Sequence, residues 1–372
     1  MNGSRRSEVI RWVASAVYHA RLIRLLELAA RYGRGRSAFQ VLTYHRVNDD
    51  EDPFFPAVPT RIFEQHMSYI ARAYRVLTVE DLVDRIGRGD VPPGAVAITF
   101  DDGYRDTLTH AAPILARLGV PATIFLATGF IGTGEIPWVD RLALALKRTK
   151  DSSVVSPWGE AFSLAGSSER LRVLDLMLRH LKRLPDNACR AAVEALCERL
   201  DVPDEAARPV SMLSWDDVRT LARLGFSIGA HTVSHPILSQ IESGRAWAEI
   251  AGSRDAIAAA CGRAPRAFAY PNGGTQDYTP AVVDLVRRAG FTCAATTRFG
   301  VNGRHTNPWE LRRGGPWEHH LPTFAAKLAW YRIAAVCPED PLVKTLPTVR
   351  ATGSASPALP VEPSVPGRGT RQ

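Results

Sequence analysis

Apolar residues in this chain fall into short unbroken runs, separated by longer stretches in which they recur every three or four positions. The runs at residues 39–44, 74–77, 95–100, 122–127, 226–230, 267–270 and 291–296 read as seven buried strands, each too short and too apolar to alternate with solvent. Helical periodicity fills the gaps, for example at residues 61–72 and at 108–118, where Gly119 and Pro121 punctuate the end. Ser214 with Asp217 predicts a capping-box start, and Thr279-Pro280 an N-cap followed by proline at the first helical position. Strands alternating with helices predict an α/β protein whose sheet closes, or nearly closes, into a distorted (β/α)7 barrel rather than a sandwich. Residues 148–210 exceed what such a barrel needs and read as an insertion of two or three helices, including 169–184 and 188–200. The insertion is expected on the rim of the site, shaping substrate access or bracing the barrel.

The chain has 372 residues, 45% of them hydrophobic, enough for a barrel with a full core. Its formal charge of +8 is concentrated at the ends. Residues 1–36 hold eight Arg against Glu8 and Glu27, and residues 344–372 hold four cations against Glu362, which leaves the body near neutral. That distribution argues against a nucleic-acid binder. The helix-like segment at 7–32 has no apolar run long enough to span a bilayer and no evident signal-peptide pattern, so a cytoplasmic or inner-membrane-peripheral location is expected. Residues 1–36 are then a basic helical segment that packs on the barrel or touches a membrane surface. Residues 37–343 form the barrel domain, and 344–372 a disordered tail rich in Pro, Ser, Gly and Ala. The five cysteines show no C-x-x-C spacing and read as small apolar residues in a chain without disulfides.

Candidate chemistry gathers at strand ends. Thr99-Phe100-Asp101-Asp102-Gly103-Tyr104 places two adjacent carboxylates at the C-terminal end of a buried strand, with a glycine allowing a sharp turn after them. Two such anions persist together where a cation holds one of them, although an acidic turn capping the next helix would look the same. The next cluster, His231-Thr232-Val233-Ser234-His235-Pro236, also follows a strand, and two histidines four apart can meet one ion. Thr232 stands where a zincin protease would carry Glu, which excludes that class. Both clusters lie where α/β folds build their sites.

These two motifs, followed by Phe268-Ala269-Tyr270-Pro271-Asn272-Gly273, resemble the ordered motifs of the polysaccharide deacetylases, carbohydrate esterase family 4, the NodB-homology domain. The resemblance runs over about residues 38–316. It implies a distorted barrel, one divalent metal and hydrolysis of N-acetyl groups on an amino-sugar polymer. With no evident signal peptide and a basic N-terminus, a glycolipid precursor at the inner membrane face is a further expected substrate. The resemblance assigns Asp102, His231 and His235 as metal ligands, Asp101 as general base, and the backbone N–H of Tyr104 with the metal as the oxyanion donors. Two His and one Asp fit zinc, with cobalt, nickel or manganese tolerated. The usual late Leu-x-His is missing. Leu42-Thr43-Tyr44-His45-Arg46-Val47 resembles instead the N-terminal segment of a subgroup with a permuted barrel, which makes His45 the general acid. Many family members carry an Arg in the third motif that pairs with the base, and Ala269 occupies that place here. Leu311-Arg312-Arg313 resembles a late Leu-x-Arg element and offers Arg313 as the substitute.

Tyr270, Pro271 and Asn272 are then expected to form a groove wall, Trp138 and Asp140 to line the cleft, and Trp309 and Trp317 to stack on sugar rings or simply pack. The expected partner is an N-acetylated saccharide. Alternatives are an O-acetyl esterase or small-amide hydrolase using the same site, and a non-catalytic glycan-binding barrel. The sequence leaves sugar, linkage, metal identity and oligomeric state open.

Overall fold

The computed structural model describes residues 38–200, 210–315 and 318–334, with residues 11–16, 18, 22, 23 and 25 of the N-terminal segment. Strands β1 (Gln40–Tyr44), β3 (Ala95–Phe100), β4 (Thr123–Leu126), β7 (Ser227–Ala230), β8 (Ala267–Ala269) and β9 (Cys293–Ala295) pair side by side in that order, all parallel. The short β2 (Arg75–Val76) pairs with the lower end of β3 on the side where β4 takes the upper end. Helices cross over between the strands: α1 (Thr60–Ala73), α2 (Val79–Arg88), α3 (Ala112–Leu118), α7 (Trp215–Arg223), α8 (Ser243–Cys261) and α9 (Pro280–Arg288), and α10 (Leu321–Ala334) follows the last strand. The predicted caps are present, since Ser214 and Asp217 form a reciprocal box at α7 and the Thr279 side chain accepts from Val282 N at α9.

Both faces of the strands are buried, but they meet different partners. Val41, Ala95, Ala97, Phe125, Ala267, Ala269, Cys293 and Ala295 point into the barrel, together with Val79 and Leu82 of α2. Leu42, Tyr44, Val96, Ile98, Phe100, Ile124, Leu126, Ile228, Phe268 and Ala294 pack outward against the helices. The interior is narrow, and small residues dominate it. A Cβ on Gly229 would lie 2.4 Å from the Phe125 ring, so the glycine is what lets that aromatic fill the middle. Residues 311–314 complete the ring. Leu311 bridges Ala295 in parallel, and Gly314 N donates to Val41 O at 3.1 Å, joining β9 to β1.

The insertion has a core of its own. Helices α4 (Trp138–Arg148), α5 (Ser167–Leu181) and α6 (Asp186–Arg199) enclose Leu142, Leu146, Val173, Met177, Leu181 and Val193, and that cluster reaches the barrel through Phe55 and Tyr104. It also contains an antiparallel hairpin, β5 (Ser153–Val155) and β6 (Ala161–Ser163), where the sequence reading placed only helices. Three-residue strands give too short an alternation to register as a period. A second difference lies at residues 107–111, which form a wide helical turn before α3 instead of its first α-helical turn. Cys189, Cys197, Cys261 and Cys293 are free thiols. The expected disordered tail, 344–372, lies outside the described residues.

Candidate active site

Period-two alternation along β3 that turns Ala95, Ala97 and Thr99 inward also turns Asp101 into the top of the barrel. There it is buried and meets a buried arginine from the closing segment. Arg313 Nη1 donates to Asp101 Oδ1 and Nη2 to Oδ2, both at 2.7 Å, a two-pronged pair. The guanidinium is itself held: Nε donates to Thr296 O at 2.9 Å, Nη1 to Thr99 Oγ1 at 3.3 Å, and its flat face lies over Phe125. Burial pushes the Asp101 carboxyl up, but Arg313, with the charges of His231 and His45, outweighs this and holds it below the usual carboxylate range. Arg313 is therefore the cationic partner of Asp101, a role that Ala269, at the end of β8, has no side chain to fill.

Asp102 follows in a left-handed conformation, φ 73°, which aims its side chain away from Asp101. Gly103 continues the turn at φ 91°, close under Leu126 and Ile131. Asp102 Oδ1 faces His231 Nε2 at 3.5 Å and His235 Nε2 at 3.4 Å, while the two ring nitrogens are 3.2 Å apart. His231 Nδ1 donates to Ala269 O at 2.7 Å, which fixes the ring with its Nε2 turned toward Asp102 and His235. One ligand atom from each residue converges on a common point, all within 4.8 Å of one another. Two imidazole nitrogens and a carboxylate oxygen at that spacing fit a divalent cation of the zinc type, with positions left over for water and substrate. Burial pushes Asp102 up, but the His231 hydrogen bond and the His235 and His45 charges hold it well below its ordinary value. Burial, then the His231 charge, lowers His235 to about 4, the neutral form a metal ligand needs.

Tyr104 and Met212 face each other in an antiparallel bridge whose hydrogen bonds run from Arg105 N to Ser211 O and from Leu213 N to Gly103 O. The Tyr104 N–H lies between these bonds and is not used by the pairing. Its phenol donates to Asp140 Oδ2 at 2.8 Å, and the Arg46 guanidinium lies 5.3 Å from its ring centre. Burial pushes Asp140 up to about 7, against the hydrogen bond from Tyr104. His45 is exposed at the end of β1. The register that pairs Tyr44 with Phe100 sets it beside Asp101, and its charge bears on both Asp101 and Asp102.

Other expected residues sit differently. Tyr270 forms no groove wall: it is wholly buried, its hydroxyl donates to Trp309 O at 3.0 Å, and its ring stacks on Tyr278. Pro271 is buried behind it, whereas Asn272 is half-buried at φ 59° with its carbonyl accepting from Thr297 Oγ1. Asp140 lies beneath Tyr104 rather than on the cleft wall, and Trp138 packs in the insertion's core. Trp309 is tied down by its indole N–H to Phe291 O and by Arg287 over its ring, so it packs; Trp317 lies outside the described residues.

Three residues were missed from sequence because their partners are far along the chain. Glu249 of α8 accepts from Val233 N and Ser234 N, and Arg190 of the insertion reaches the same loop. Lys182, whose amine burial pushes down, lies where its charge bears on Asp102 and His235.

A family model described as polysaccharide deacetylase matches residues 88–294, more than half of the chain. The Bacillus subtilis (strain 168) protein YxkH, whose own name as a polysaccharide deacetylase is provisional, is 34% identical over 94 residues. That alignment covers 25% of this chain and only a third, 33%, of the relative's length. Among solved structures, IcaB from Ammonifex degensii superposes with a TM-score of 0.53 at 22% identity, covering 79% of this chain and 97% of its own. The Streptococcus pyogenes deacetylase PplD, solved with acetate, gives 0.51 at 17% identity, over 77% and 98%. At these identities the two superpositions speak for the shared barrel.

Proposed function

The chain belongs to the polysaccharide deacetylase family, and we propose that it is a metal-dependent hydrolase that removes N-acetyl groups from an amino-sugar glycan or glycolipid precursor. The observation that carries this reading is the pairing of a buried, arginine-held carboxylate, Asp101, with the converging donors of Asp102, the next residue, and of His231 and His235 at the end of β7, two strands away. A glycan-binding barrel has no use for a carboxylate kept ionised beside three metal-type donors.

Asp102, His231 and His235 would hold the ion. A bound divalent cation, zinc by donor type, supplies a water of lowered pKa and polarises the acetyl oxygen. Asp101, kept ionised by Arg313, takes the proton from the attacking water. The free Tyr104 N–H donates to the oxygen that gains charge, and the buried Tyr104–Asp140 bond fixes that peptide in place. His45, exposed opposite Asp101, protonates the departing amine.

The basic segment at residues 1–36 is read as a peripheral contact with an anionic membrane surface. Its support is the arginine excess together with exposed Trp12, Leu22 and Leu25 next to buried Ala14 and Ile23. No helix among the described residues is long and apolar enough to cross a membrane.

Acetate release from N-acetylated amino-sugar oligomers and lipid-linked saccharides tests the proposal, with wild type and Asp101→Asn compared before metal stripping and after return of zinc or cobalt. Release that needs both the ion and Asp101 is the expected result. Metal binding with neither an acetamide nor an acetate ester cleaved would overturn the hydrolase and leave the glycan-binding barrel.

A further inference from the structure

The loop that carries His235 is built against its own backbone preferences. Thr232 and His235 are both non-glycine residues in the left-handed region, at φ 68° and 56°, a conformation that persists only where surrounding contacts impose it. Part of that imposition is local to the barrel. Thr232 Oγ1 accepts from His235 N at 3.0 Å, and the buried Glu249 carboxylate takes Val233 N at 2.9 Å, Ser234 N at 2.7 Å and the Ser234 hydroxyl.

The rest arrives from the insertion. Arg190 of α6 donates through Nη2 to Ser234 Oγ at 2.8 Å and to Ser234 O at 3.1 Å, one residue before the ligand histidine. Its Nε donates to Asp186 Oδ2 at 2.8 Å, and Arg245 of α8 holds the same carboxylate at 2.6 Å. Glu249, Ser234, Arg190, Asp186 and Arg245 thus form a chain of charged and polar groups that starts and ends on α8 and passes through the insertion. A second tie runs parallel to it, from Gln240 Nε2, five residues beyond His235, to Lys182 O at the end of α5, at 2.8 Å.

We infer that Arg190 is a positioning residue for the metal centre, so that the insertion sets the aim of His235 instead of merely bracing the rim. The inference rests on the metal-site reading above. The physical reason is that Ser234 carries both halves of the restraint. Its hydroxyl donates to Glu249 while accepting from Arg190, and its carbonyl, the one joined to the His235 peptide, accepts from Arg190 as well. Loss of the guanidinium frees that peptide to leave the left-handed region, and the imidazole loses its fixed direction. Contacts behind a ligand of this kind commonly change metal affinity by about 10- to 100-fold.

The test is cobalt and zinc affinity of the stripped full-length protein by chelator competition, with the visible spectrum of the cobalt form. Wild type, Arg190→Ala, Arg190→Lys, Asp186→Asn and Glu194→Ala are compared, the last removing from the helix of Arg190 an exposed carboxylate that pairs with Arg141 of α4. Arg190→Ala is expected to weaken both metals about 10- to 100-fold and to change the cobalt spectrum. Arg190→Lys and Asp186→Asn should fall between it and wild type, and Glu194→Ala should match wild type. Unchanged affinity and spectrum in Arg190→Ala overturns the inference, as does an equal loss in Glu194→Ala, which would mean that any loosening of α6 suffices. If Arg190→Ala does not fold, Arg190→Lys and Asp186→Asn decide it by the same readings. A wild-type protein that binds neither metal overturns the metal-site reading itself, a result distinct from a normal wild type with an insensitive Arg190→Ala.

Discussion

Arg313→Ala removes the one guanidinium that meets both Asp101 oxygens, and its consequences can be worked from the geometry. Asp101 and Arg313 are both nearly inaccessible to solvent, so breaking the pair leaves a buried carboxylate uncompensated, at a cost of about 3–5 kcal/mol of stability. Charges about 4 Å apart at an effective dielectric constant near 20 interact by about 4 kcal/mol, or about three pH units at 1.36 kcal/mol each. Any bound cation supplies part of that field, so about three units is the upper limit on how far the acid limb of kcat/KM moves upward. The sign follows from Asp101 being useful as a base only when ionised. In the wild type its lowered pKa contributes stability that is present above the ordinary carboxylate value and is lost as pH falls below it. In the variant, burial is opposed only by the weaker charges of His231 and His45 and by any bound cation, so the deficit against wild type should grow from pH 4 to pH 8. The assay is the pH profile of acetate release by zinc-loaded enzyme, with urea melts across the same range. Arg313→Lys, which keeps the charge but not the fork, should show a smaller shift. An acid limb and kcat/KM both unchanged in Arg313→Ala would refute the reasoning.

Asp140→Asn tests the buried carboxyl beneath Tyr104. A pKa pushed up to about 7 means that wild-type stability falls as pH rises from about 4 to 7, by up to about 4 kcal/mol, so the variant should gain on wild type in melts at pH 8 and not at pH 4. His235→Ala should abolish the thermal stabilisation by zinc, which amounts to about 2.7 kcal/mol for wild type at a hundredfold excess over Kd; a variant still stabilised to the same degree would contradict the ligand assignment. Gly103→Ala places a Cβ 2.9 Å from Ile131 Cδ1 at φ 91°, and about 2 kcal/mol of stability should be lost together with most activity, read by urea denaturation and acetate release.

Much of this protein was legible in one dimension. Short apolar runs fixed the seven strands to within a residue or two at each end, because a strand's burial is written in its own sequence. Adjacent Asp101 and Asp102 at one strand end, with His231 and His235 at another, were enough to suggest a metal centre, since both strands deliver to the same rim of the barrel. Arg313 could be named from its Leu-x-Arg setting, but not the fork that closes on Asp101 across 212 positions, which exists because residues 311–314 complete the ring between β9 and β1. The same holds for Tyr270, which looks like a groove residue in sequence and is turned into the core by the stacking partner Tyr278. Arg190 gave no signal at all: an arginine on a polar helix is ordinary until the fold sets it beside Ser234, 44 positions away. Periodicity and turn chemistry are local properties, and they determine which elements form and where the reactive groups stand along them. Which groups then face one another depends on barrel closure and on how the insertion docks, and those are decided by packing between distant segments that no local pattern records.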